Sequence, residues 1–131
     1  MTILVIDDSR FMQLAIDKAL REAGYRTIIV GDGERGLSTA IQELPDLILL
    51  DIMLPSMSGT SVLGSLKKNP LTSGIPVIVL TSLDRLDAAR LKHDGADGYL
   101  AKGDLNLQGG CEVLIRTIQT ALKKDRERCE A

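Results

Sequence analysis

The chain has 131 residues, with 16 Lys plus Arg set against 18 Asp plus Glu and a formal net charge of −2; that is the size of one domain, 1–131, and too little positive charge to hold nucleic acid by its phosphates. Hydrophobic residues make up 44% and charged residues 26%, enough to bury a core and unlike a disordered tail. Aromatic residues are confined to Phe11, Tyr25 and Tyr99, with no Trp, which argues against a base-stacking platform and against the aromatic sandwich a flavin usually takes.

The first apolar, β-branched run, Ile3-Leu4-Val5-Ile6, predicts a strand. Beyond Asp7-Asp8-Ser9 comes a segment of helical period, in which Phe11, Leu14, Ala15, Lys18, Ala19 and Glu22 fall on one turning surface and Gly24 supplies the stop. Thr27-Ile28-Ile29-Val30 predicts the second strand, followed by a helix from about Glu34 to Gln42. Leu47-Ile48-Leu49-Leu50 and a helix from Thr60 to Lys68 come next, then Val77-Ile78-Val79-Leu80 and a helix from Arg85 to Asp94. The weaker run Gly98-Tyr99-Leu100-Ala101 precedes a helix from Cys111 to Lys124, whose predicted buried stripe is Val113, Leu114, Ile118, Ala121 and Leu122.

Apolar runs that do not alternate with polar residues fit strands covered on both faces. The β–α order repeated five times therefore predicts a doubly wound α/β sandwich around a parallel sheet, since parallel neighbours need crossovers that pack helices back onto it. The mixed-sign run Lys123-Lys124-Asp125-Arg126-Glu127-Arg128 reads as the solvated end of the last helix. Apolar stretches stop after about four residues, far short of the roughly 20 of a membrane helix, and the N-terminus carries no basic and apolar leader pattern. A cytoplasmic protein with no membrane partner and no direct nucleic-acid contact is the expectation. Cys111 and Cys129, with the single His93, are too few for a zinc site and are expected to be reduced bystanders.

In open α/β sheets ligands bind beyond the carboxyl ends of the strands. The first run leads into Asp7-Asp8, the third into Asp51, the fourth into Thr81, and the fifth is followed by Lys102. Three clustered carboxylates repel one another unless a cation sits among them, and oxygen ligands without His or Cys select a hard ion such as Mg²⁺. A hydroxyl and an ammonium beside a carboxylate-held metal are what a phosphoryl group requires, with a carboxylate able to attack in line. Taken singly, each residue has a plainer reading: Asp7 or Asp8 as the N-cap of the first helix, Asp51 as a loop carboxylate before Pro55, Lys102 as an exposed charge, Tyr99 as core. Phe11 and Met57 are expected to pack, and Gly59 to serve the turn into the third helix.

Four stretches together resemble the receiver domains of bacterial two-component response regulators: Val5-Ile6-Asp7-Asp8-Ser9, the segment from Leu49 through Asp51 and Pro55 to Gly59, Val77-Ile78-Val79-Leu80-Thr81-Ser82, and Gly95-Ala96-Asp97-Gly98-Tyr99-Leu100-Ala101-Lys102. The likeness covers residues 2 to 124. It implies a flavodoxin-like sheet of order 2-1-3-4-5 with five helices, and Asp51 as phosphoacceptor. It further implies Asp8, Asp51 and the Met53 carbonyl as direct Mg²⁺ ligands with Asp7 acting through water, Thr81 and Tyr99 as the switch pair, and Lys102 as the phosphate's partner. The implied partners are a sensor histidine kinase or histidine phosphotransfer protein and a downstream target protein. The receiver would be no enzyme beyond its own phosphorylation and dephosphorylation, either a stand-alone regulator of the chemotaxis or phosphorelay kind or a domain of a longer protein.

Two departures from the family pattern stand out. Lys102 is followed by Gly103 where the family usually has Pro, so the bond between them is expected to be trans, a non-proline cis bond costing about 3–4 kcal/mol. The span from Gly103 to Gly110 also looks a few residues longer than usual, and that from Thr81 to Gly95 about one shorter. By the same resemblance Met53 and Leu83 flank the path of the water that would remove the phosphoryl group. A Mg²⁺-dependent phosphatase working through an aspartyl phosphate is the alternative, although such enzymes carry nucleophile and acid two residues apart on one strand. A mononucleotide binder would want a glycine-rich loop where Asp7-Asp8-Ser9-Arg10 stands.

Overall fold

Each of the five apolar runs forms a strand in the computed structural model, and all five pair in parallel. The structure describes residues 1–54, 57–81, 95–101 and 112–130, with side chains as far as Lys124. The strands are β1 (Thr2–Ile6), β2 (Arg26–Val30), β3 (Leu47–Asp51), β4 (Val77–Thr81) and β5 (Gly98–Ala101), in the order β2-β1-β3-β4-β5. The described helices are α1 (Arg10–Glu22), α2 (Gly33–Glu43), α3 (Gly59–Lys68) and α4 (Glu112–Glu130). The helix expected from Arg85 to Asp94, the Lys102–Gly103 bond and Cys111 lie outside the described residues.

The sheet divides the core by strand parity, since successive strand residues face opposite sides. Ile3, Val5, Leu47, Leu49, Ile78, Leu80 and Leu100 pack with α1 and α4 on one face. Leu4, Ile6, Ile48, Leu50, Val77 and Val79 pack with α2 and α3 on the other. The central strands β1, β3 and β4 are therefore buried on both sides, which is why their sequences read as unbroken apolar runs.

Helix starts follow from short polar caps. Ser9 accepts from the Met12 N–H, Asp32 from Arg35 and Ser58 from Ser61, which satisfies main-chain donors that the helices themselves leave open. After α1 the chain turns at Gly24, whose φ of +93° lies in the left-handed region that favours glycine. At the far edge of the sheet Lys67 on α3 donates to the Asp97 carboxylate at 2.8 Å and to the Ile75 carbonyl at 3.0 Å, and Asp97 also accepts from the Val77 N–H. That cluster ties α3 to the starts of β4 and β5.

Two packing expectations are corrected, and one plainer reading falls away. On α1 the buried residues are Met12, Ile16, Ala19 and Leu20, while Phe11 and Leu14 are 66% and 64% exposed. The two rows differ by one residue, about 100° of helix rotation, and the Met12 row, which carries no charge where the other carries Lys18 and Glu22, is the one packed on the sheet. On α4, Leu114, Ile118 and Ala121 are buried and Leu122 packs beside them, but Val113 in the first turn is exposed. Tyr99 is not core: Leu100 fills the α1–α4 face, and the Tyr99 ring, on the opposite face, remains 42% exposed. Met57 does pack against the α2–α3 core as expected. The last helix continues six residues beyond Lys124, to Glu130.

Candidate phosphoacceptor site

Strand register brings the predicted residues together. Ile6 pairs with Leu50 across β1 and β3, so the residues that follow, Asp7 and Asp51, stand side by side at the carboxyl edge. Asp51 pairs with Leu80, which puts Thr81 one step further along β4, and Thr81 pairs with Ala101, the residue before Lys102. Asp51 and Thr81 are the last residues of their strands rather than the first of the loops: the ladder runs on past Asp51 through the Ile52 N–H to the Leu80 carbonyl at 3.0 Å, and Thr81 is still paired with Ala101. Lys102 itself lies outside the described residues, as does Leu83.

Asp7, Asp51 and Thr81 are buried, whereas Asp8 and Met53 face solvent. Carboxylate oxygens of Asp7, Asp8 and Asp51 all lie within 4.8 Å of one another. Two buried carboxylates at that separation repel by roughly 3 kcal/mol at an effective dielectric of about 20. An all-oxygen donor set of this compactness fits a small hard divalent cation, and the absence of His and Cys from it disfavours zinc or copper. The helix cap falls on Ser9, so capping accounts for neither Asp7 nor Asp8.

Main-chain donors hold the acids in place. The Ser9 N–H donates to Asp7 Oδ1 at 2.8 Å and the Met53 N–H to Asp51 Oδ1 at 3.0 Å, so the main chain of Met53 lies against the acid it was expected to assist. The Asp7 N–H donates to the Val30 carbonyl at 3.1 Å, and the Asp7 carbonyl accepts from the side-chain amide of Gln13. Behind Asp51, the Gly59 N–H at the start of α3 donates to the Ile52 carbonyl at 3.0 Å. A Cβ on Gly59 would stand 2.4 Å from Ile52 Cα and 2.5 Å from the Asp51 carbonyl oxygen. Sequence reasoning passed over Gln13, which reads as an ordinary polar helix residue, and saw Gly59 only as a turn former.

The sequence matches the family model for the response regulator receiver domain over residues 3–107. The chain belongs to the response regulator receiver family. It is similar to the DNA-binding response regulator MtrA of Mycobacterium tuberculosis, at 41% identity over 102 residues, or 76% of this chain and 43% of MtrA. It is also similar to the DNA-binding dual master transcriptional regulator RpaA of Synechocystis, at 40% identity over 101 residues, 76% of this chain and 42% of RpaA. The receiver thus spans less than half the length of these relatives. Among solved structures, a CheY-like receiver domain protein of Methanospirillum hungatei superposes with a TM-score of 0.84 at 27% identity, covering 97% of each chain. Chemotaxis protein CheY4 of Vibrio cholerae superposes with a TM-score of 0.82 at 26% identity, covering 92% of this chain and 97% of that one. Receiver domains are signalling domains rather than enzymes in the ordinary sense, and they imply a kinase or phosphotransfer partner. The phosphatase alternative finds no support among these relatives.

Proposed function

We propose that this receiver accepts a phosphoryl group on Asp51 from a histidine of a sensor kinase or phosphotransfer protein, and that the phosphorylated form presents an altered surface to a target protein. The observation that carries the reading is the meeting of Asp7, Asp8 and Asp51 within 4.8 Å at the end of a fully buried strand. A carboxylate oxygen of Asp51 attacks phosphorus as the phosphorus–nitrogen bond of the phosphohistidine breaks, and the electron pair returns to the imidazole, which takes up a proton. Asp8, Asp51 and the Met53 carbonyl would hold Mg²⁺ directly and Asp7 through water. When bound, the ion neutralises the phosphoryl oxygens and the acids around it. Thr81 donates its hydroxyl to a phosphoryl oxygen and Lys102 contributes a point charge.

Residues 1–131 form, on this reading, one receiver unit working in the cytoplasm, and its only chemistry is gain and loss of its own phosphoryl group. No described helix is long and apolar enough to cross a membrane. A net charge of −2 gives these residues no electrostatic footing on DNA, so we assign them no nucleic-acid contact of the sort named for MtrA and RpaA. Mass spectrometry after incubation with Mg²⁺ and a small acyl phosphate tests the assignment. The wild type should gain one acid-stable, base-labile phosphoryl group, and Asp51→Asn none. Equal labelling of the variant would remove Asp51 from the role.

A further inference from the structure

The Asp7–Asp8 peptide is the covalent link between two of the three acids, so its orientation helps set where both carboxylates point. β1 ends at Ile6, and the Asp7 carbonyl falls just past the strand's last residue. The Gln13 side chain reaches it there, its Nε2 donating to the carbonyl at 2.5 Å. Of the two ends of a side-chain amide only the NH₂ can face a carbonyl oxygen in this way. The Gln13 main-chain N–H bonds the Ser9 carbonyl at 2.9 Å, so one residue grips the Asp7–Ser9 turn from two sides. A Cβ on Gly31 would stand 3.7 Å from the same Nε2, which places the amide between the turn after β1 and the turn after β2. The cap of α1 is already made by Ser9. The helix start therefore does not require this side chain, and a glutamine at a part-exposed helical position would otherwise extend into water.

We propose that Gln13 is a positioning residue: by clamping the Asp7 carbonyl it fixes the peptide joining Asp7 and Asp8 and pre-sets both acids for the divalent cation. The inference rests on the metal reading given above. The Ser9 N–H to Asp7 Oδ1 bond at 2.8 Å belongs to the same turn and reports on its order without any metal. Removing the clamp leaves the acids chemically intact but obliges the cation to order them on binding, a cost that appears in affinity.

Gln13→Met keeps length and helix propensity and deletes the donor. Mg²⁺ titrated into the metal-free protein by calorimetry should show a dissociation constant three- to tenfold higher than wild type. Hydrogen exchange at the Ser9 amide, followed by NMR without metal, should quicken by a similar factor. Labelling of Asp51 by an acyl phosphate should need more Mg²⁺ yet reach the wild-type rate at saturation. Gln13→Glu, which turns a carboxylate toward the carbonyl, should weaken Mg²⁺ binding at least as much. Wild-type Mg²⁺ affinity and wild-type Ser9 exchange in the Met variant would overturn the proposal. So would a labelling rate that saturating Mg²⁺ fails to restore, accompanied by faster exchange along the whole of α1, which is the pattern of general loosening. Failure of the wild type itself to bind Mg²⁺ would overturn the metal reading, and is seen before any variant is made.

Discussion

Gly59→Ala tests whether the start of α3 must touch the strand that carries Asp51. The added Cβ would sit 2.4 Å from Ile52 Cα and 2.5 Å from the Asp51 carbonyl oxygen, and both are main-chain atoms that cannot rotate away. Restoring an ordinary contact moves the helix start outward by about 1 Å, which also stretches the 3.0 Å bond from the Gly59 N–H to the Ile52 carbonyl beyond hydrogen-bond range. Overpacking of this kind costs about 1–3 kcal/mol and the lost bond about 1 kcal/mol. A total near 3 kcal/mol corresponds to a fall in melting temperature of roughly 9–15 °C for a chain of this size. Gly64, in the interior of the same helix, has nothing within 4 Å of its Cβ position. Gly64→Ala should accordingly gain about 0.5–1 kcal/mol from reduced backbone freedom. Thermal unfolding by circular dichroism, paired with the Asp51 labelling rate at a temperature where both proteins are folded, separates the two glycines. A Gly59→Ala protein that melts within about 2 °C of wild type and labels normally would show that the main chain around Asp51 yields easily, contrary to the reasoning.

Other predictions concern stability, relay and lifetime. The carboxyl of Asp17 is held below its ordinary value of 3.8 by the Thr27 hydroxyl and, against the opposing effect of burial, by the Arg21 guanidinium. Its stabilising contribution is therefore present above that value and lost as pH falls through the lower folded-state one. Asp17→Asn should cost about 1 kcal/mol at pH 7 in urea unfolding, with the gap to wild type shrinking below pH 4; a gap independent of pH would refute this. Lys102→Ala should bind Mg²⁺ as wild type does but lose phosphorylation-dependent target binding, and normal signalling by it would take Lys102 out of the relay. Met53 is 64% exposed beside Asp51 and, like Leu83, cannot hydrogen-bond and orient a water, so the aspartyl phosphate should persist. Met53→Asn with Leu83→Glu should hasten phosphate loss roughly tenfold or more, about 1.4 kcal/mol of barrier; equal decay rates would discard the idea.

The strands and the residues at their ends were legible because burial on both faces demands an unbroken apolar run, so the polar residue that ends each run stands out. Asp7, Asp8, Asp51 and Thr81 could be picked out on that ground alone. The inward row of α1 was legible but misread: the row through Phe11 and Leu14 runs on into the charged Lys18 and Glu22, whereas Met12, Ile16, Ala19 and Leu20 recur at i, i+4, i+7 and i+8 without a charge. Tyr99 reads as core only when taken singly: on a four-residue edge strand with one strand neighbour, Leu100 is buried on one face while Tyr99, on the other, is 42% exposed. Gln13 and Gly59 were hidden because their importance lies in contacts with main-chain atoms, at the Asp7 carbonyl and at Asp51 and Ile52, and periodicity carries no information about such contacts.

Burial also bears on how a phosphoryl group on Asp51 would be felt elsewhere. All five residues of β3 are buried, and its main chain is locked between β1 and β4 by register and against α3 by Gly59, so the strand has little freedom to retreat from the roughly two added negative charges. The response therefore falls to groups around the site. Of the proposed switch pair, Thr81 is buried at the end of β4, whereas Tyr99 lies on the edge strand and is 42% exposed. On the proposed reading, a small movement at the buried hydroxyl would be relayed to the part-exposed ring, and a target protein would sense its change of position there.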